Sequence, residues 1–112
     1  MSSVIEIRTY HLREGTAEHF HRTMHEHSLP LLRAAGTDVL AALPSAEDGC
    51  EYMIVRAYAD RAQRQASQDA FYGSSAWVKG PREAIMACID SYHAVVVAAT
   101  PALIASMRGL AA

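Results

Sequence analysis

The chain has 112 residues, 51% hydrophobic and 20% charged, which bounds it to one folded domain with a single core. A formal net charge of −2, with basic residues scattered singly, argues against nucleic acid or an anionic membrane as a partner. The opening MSSVIEIRTY has no secretory pattern, AVVVAATPALIA is too short to span a bilayer, and Cys50 and Cys88 lack disulfide or CxxC spacing. The expected location is the cytoplasm.

Residues 4–10, VIEIRTY, alternate Ile5, Ile7 and Thr9 against Glu6, Arg8 and Tyr10, the period-two pattern of a strand. Thr16 is placed to cap the next helix, which runs to Ala35 and stops at Gly36. Phe20, Met24, His27 and Leu31 recur at helical spacing and predict the stripe facing the sheet, with a disturbance at Pro30. Thr37–Leu43 and Glu51–Tyr58 read as an antiparallel hairpin. Asp60 caps a polar helix over Arg61–Tyr72, and Gly73 breaks it. Ser74 caps a short turn carrying Trp77, and Pro81 starts a helix from Arg82 to Ile89. Ser91–Ala99 is a fourth strand whose Val95-Val96-Val97 run predicts burial on both faces. Residues 102–112 form a C-terminal arm after a core of about 4–101, and its stretch from Ala102 to Gly109 reads as a short terminal helix or an arm.

The order βαββαβ is the ferredoxin-like α+β arrangement, with a four-stranded antiparallel sheet and helices on one face. An apolar opposite face calls for a cover, and a second copy of the chain is the expected one, giving a homodimer.

The segments IEIRTYHLREG, LPLLRAAG, EYMIVRAYADRAQR and SSAWVKG resemble the NIPSNAP family, most specifically through Glu6, Arg8, Thr9, Tyr10 and Gly15. The resemblance covers residues 4 to about 101 and implies a dimeric α+β barrel with a small-molecule pocket between sheet and helices. Relatives across that superfamily include cofactor-free monooxygenases, haem-using enzymes, isomerases and polyketide cyclases. The chain departs from the family's usual look in its histidine-rich first helix, HFHRTMHEH.

His21 and His25, one turn apart, could chelate an ion, but HExxH is absent and a polar helix flank accounts for the pair; no metal is expected. His27, in the apolar stripe, is open to two readings: a core histidine satisfied by a hydrogen bond, or the acid/base of a pocket. Arg8 is either ion-paired with Glu6 or an anchor for an anionic or carbonyl-bearing substrate, and Arg56 poses the same choice. Phe71, Tyr72 and Trp77 bracket Gly73-Ser74-Ser75, a turn that lines the pocket mouth in the polyketide cyclases of the superfamily. The expected catalytic set is His27 with Tyr72 or Tyr10, and the expected binding set is Arg8, Met24, Trp77, Phe71 and His93. No GxSxG, GxGxxG or phosphate loop is present, so no cofactor is expected. The expected chemistry is cofactor-independent acid/base catalysis of the cyclase, isomerase or lyase type. The alternatives are a cofactor-free or haem-dependent monooxygenase and a non-catalytic dimeric binding domain.

Overall fold

A computed structural model describes residues 3–108. Strand β1 (Ser3–Leu12) leads into helix α1 (Ala17–Thr23), a π-helical turn over Met24–Ser28, and helix α2 (Leu29–Ala34). Strands β2 (Asp38–Pro44) and β3 (Glu51–Tyr58) follow, then helices α3 (Arg61–Tyr72), α4 (Ser75–Val78) and α5 (Arg82–Cys88). Strand β4 (Ile89–Ala99) and helix α6 (Pro101–Met107) complete the described chain. The strands form one antiparallel sheet in the order β2-β3-β1-β4, the ferredoxin-like topology expected from βαββαβ.

Alternation along the strands sorts the side chains onto two faces. On the helix-covered face, Tyr10, Leu12, Val39, Tyr52 and Ile54 pack against Phe20, Met24, Leu29, Leu32, Phe71, Trp77 and Ile85. Each of the larger apolar side chains buried here stabilises the fold by about 1.5–3 kcal/mol. On the other face, Ile5, Leu40, Ala41, Val55 and Ala57 form a thinner cluster, against which Ile104 and Met107 of α6 pack. The stretch read as a C-terminal arm is thus helical through Met107, and residues 109–112 lie outside the described residues.

Asp60 and Ser74 cap their helices, accepting from the backbone N–H groups of Gln63 (2.7 Å) and Trp77 (3.3 Å). Gly36 closes α2 with φ of 89°, a conformation that favours glycine. Thr16 does not cap: its hydroxyl donates to the Arg13 carbonyl at 2.7 Å. Strand β4 is an outer strand of the sheet, and within the single chain Tyr92, Val95, Val96 and Val97 stay exposed on its two faces.

The first helix corrects the largest expectation. Pro30 has no N–H to return to the Glu26 carbonyl. The chain responds with a π turn, in which the Leu29 N–H bonds to the Met24 carbonyl and one extra residue enters the turn. The buried stripe therefore steps from Phe20 and Met24 to Ser28 and Leu32, where a constant helical period predicted His27 and Leu31. His27 is turned out to solvent.

Candidate functional site

A cavity of about 430 Å³ lies between the sheet and the helices, a size suited to a small organic ligand. Arg8, Tyr10 and Arg56 rise from the sheet to form its floor. Met24, Ser28 and Leu32 come from the first helical segment, Gln68, Phe71 and Tyr72 from α3, and Trp77 from α4. Arg82, Ile85 and Met86 of α5, with Ile89 and Tyr92 of β4, complete the lining.

Beneath the floor is Glu6, wholly buried. The period of two puts it on the face of Arg8 and Tyr10, and the β1–β3 register sets it opposite Arg56. From α3, Arg64 and Gln68 reach down one turn apart. The Gln68 amide donates to Glu6 Oε2 at 2.6 Å, and Arg64 donates to the same oxygen through Nε (2.9 Å) and Nη2 (2.5 Å). Arg8 Nη2 approaches Glu6 Oε2 and the Gln68 carbonyl oxygen, each at 3.3 Å. Glu6 Oε1 is less well served, with Arg8 Nε at 3.2 Å and Arg56 Nη1 at 3.7 Å, outside hydrogen-bond geometry. Burial by itself would raise the Glu6 carboxyl. The Gln68 hydrogen bond, the charge of Arg8, the Arg64 hydrogen bond and the charge of Arg56 outweigh it and hold Glu6 below the usual carboxylate range. One carboxylate thus serves three guanidinium groups.

The Tyr72 hydroxyl sits where the surplus charge meets the cavity. It accepts from Arg56 Nη2 at 2.7 Å and from Arg8 Nη1 at 3.4 Å. Tyr10 lies deeper, only 5% exposed. Burial, then the neighbouring Tyr72, push its hydroxyl above the usual range, against the pull of Arg56 and Arg8. Tyr10 is therefore a neutral phenol. Trp77 packs within 5.5 Å of the Phe71 ring and 5.4 Å of the Tyr72 ring, centroid to centroid, and these three make an aromatic wall.

Of the residues singled out in the sequence, Arg8, Tyr10, Met24, Phe71, Tyr72 and Trp77 meet at this cavity. His27 does not. It lies on the outer side of the helical layer, in a shallow groove with His19, Glu26 and Pro81. His93 does not either: it pairs with Thr9 on the face away from Arg8 and Tyr10, and is exposed. Ser28, Gln68 and Arg82 were not anticipated. Only Gln68 left a signal, one turn beyond Arg64 on an otherwise polar helix.

His21 and His25 do lie together, ring centroids 4.4 Å apart, and no third His, Cys, Asp or Glu joins them among the described residues. They are more than a solvated flank. His21 Nδ1 is 2.8 Å from the hydroxyl of buried Tyr52, and burial, then the charge of His25, hold His21 below the usual histidine range.

No family model and no curated protein sequence matches the chain. Solved structures share its fold. A NIPSNAP family protein from Agrobacterium tumefaciens superimposes with a TM-score of 0.80 at 13% identity, over 88% of this chain and 94% of that one. An uncharacterized NIPSNAP-like domain protein from Burkholderia xenovorans gives 0.81 at 14% identity, over 89% and 87%. A Nitrosomonas europaea protein provisionally described as an antibiotic biosynthesis monooxygenase gives 0.69 at 15% identity, over 89% and 92%. The fold that the sequence resembled, that of the NIPSNAP family proteins, is the fold the chain adopts.

Proposed function

We propose that this protein is a NIPSNAP-type enzyme that carries out cofactor-independent acid/base chemistry on a small organic substrate, with Tyr72 as the group that transfers the proton. The observation that carries this reading is the Tyr72 hydroxyl, held at the cavity by Arg56 and Arg8. Both neighbours are obligate donors, so they occupy the oxygen's lone pairs and leave the O–H for another acceptor. Their charges also stabilise the negative charge that develops on the oxygen as the proton departs. Cyclisation, isomerisation and lyase reactions all need a proton delivered at one atom and removed at another. Tyr10 is the second hydroxyl, and Trp77, Phe71 and Met24 supply an apolar wall for the substrate. Tyr72 takes the part that periodicity assigned to His27. A second reading, oxygen insertion into an electron-rich substrate, draws support from the neighbour described as a monooxygenase.

The working unit in this reading is a homodimer in the cytoplasm. Val95 and Val97 are 45% and 36% exposed on the face that α6 leaves open, and a second sheet would cover them.

Incubation with a panel of small keto acids, enones and lactones in deuterated water, followed by NMR, tests the assignment. C–H exchange or isomerisation that falls on the order of 10²-fold in Tyr72→Phe, in protein that circular dichroism shows folded at the assay temperature, supports it. Turnover that survives the substitution overturns it, and a product that has gained oxygen favours the second reading.

A further inference from the structure

The cavity lining contains Arg8, Arg56 and Arg82 and no aspartate or glutamate. Glu6 is the carboxylate that answers Arg8 and Arg56 from below, and Arg64 and Gln68 already occupy one of its oxygens. Arg56 is 1% exposed, and its Nε and Nη1 have no hydrogen-bond partner; only Nη2 is engaged, by Tyr72. The Ser28 hydroxyl, also 1% exposed and also part of the lining, is likewise without a partner. Arg56 shares the Glu6 carboxylate with Arg8 and Arg64 and meets it only at 3.7 Å, so the cluster keeps surplus positive charge and idle donors that one carboxylate does not satisfy. Gln68 apart, the rest of the lining is apolar and aromatic, so the missing group belongs to an organic molecule and not to a free inorganic ion.

We infer that the ligand of this cavity is a small carboxylic acid with an aromatic or otherwise planar apolar body, its carboxylate on Arg56 and Arg8 and its body against Trp77 and Phe71. A planar carboxylate meets the planar fork of a guanidinium through two parallel hydrogen bonds, and phosphate probes test the other anion that can do so. Arg82, at the exposed rim, draws the anion inward. The inference rests on the proposed function only in taking this cavity as the ligand site; it holds whether or not Tyr72 transfers a proton.

Trp77, the chain's one tryptophan, lines the cavity and reports binding by its fluorescence. The wild-type protein is titrated with benzoate, phenylacetate and cinnamate, with the corresponding amides, and with phenyl phosphate and inorganic phosphate. Each carboxylate should bind about tenfold or more tightly than its amide, the worth of a charge-assisted hydrogen bond over a neutral one. The preference should fall in Arg56→Met, where circular dichroism shows that variant folded, and in Arg8→Met. Equal affinity for acid and amide overturns the inference while leaving the cavity a ligand site. Tighter binding of either phosphate than of the carboxylates overturns the carboxylate assignment. Binding of none of the probes overturns the inference and removes the support that the proposed function draws from the cavity. A carboxylate preference in a protein whose Tyr72→Phe variant keeps full turnover upholds the inference and sinks the catalytic reading alone.

Discussion

Glu6 holds the floor of the site together, and its environment makes specific demands. Glu6→Gln removes the anion from among three guanidinium groups and should cost about 3–5 kcal/mol at neutral pH, measured by urea denaturation. The carboxyl is held below its ordinary range, so its contribution is fully present above the unfolded value of about 4.3 and is lost as pH falls through the lower folded value. The wild type should therefore lose stability steeply below about pH 4.3, and Glu6→Gln should lose less over the same span. His21→Ala leaves the buried Tyr52 hydroxyl without its partner and should cost about 1–3 kcal/mol, with chelator making no difference to either protein. Part of this was legible in the sequence. Strand alternation alone sets Glu6 beside Arg8 and Tyr10. The hydrogen bonds from Arg64 and Gln68 span 58 and 62 positions, which no local pattern encodes. The surplus of arginine over carboxylate became visible only when α3 lay on the sheet.

At the scale of elements, boundaries set by strong local chemistry were readable and boundaries set by accommodation were not. Strand β3 and helix α3 begin and end where alternation, the Asp60 cap and Gly73 place them. The π turn is the opposite case. A wheel of constant pitch has no means of adding a residue, and Pro30 signalled a disturbance without saying how it would be absorbed. One residue of slip was enough to exchange His27 for Ser28 in the buried stripe. His27→Gln should consequently change stability by no more than about 0.5 kcal/mol and leave turnover intact, checked by melting curve and rate together. The link between α4 and α5 is far less tolerant. A Cβ at Gly80 would stand 2.3 Å from the Ala76 carbonyl oxygen, a backbone atom that cannot step aside. Gly80→Ala should cost about 1–3 kcal/mol by the same denaturation measurement.

For the whole molecule, the sheet topology followed from the order of elements, but the state of its outer strand did not. Periodicity registered that Val95, Val96 and Val97 are apolar; it could not register that the described chain leaves all three partly exposed. Light scattering at micromolar concentration should return twice the 12.2 kDa chain mass, and Val95→Asp with Val97→Asp should shift it to the monomer. A wild-type monomer, stable and soluble, would remove the barrel assembly from consideration. The cluster around Glu6 also bears on how fast the molecule comes apart. Its charged groups come from β1, β3 and α3, and each stays hydrated until the others arrive. We therefore expect α3 to dock on the sheet late, after the rate-limiting barrier to folding. Contacts formed that late act as a brake on unfolding. Arg64→Met should leave the refolding limb of a stopped-flow chevron in place and raise the unfolding limb, so that the network is felt as native-state lifetime.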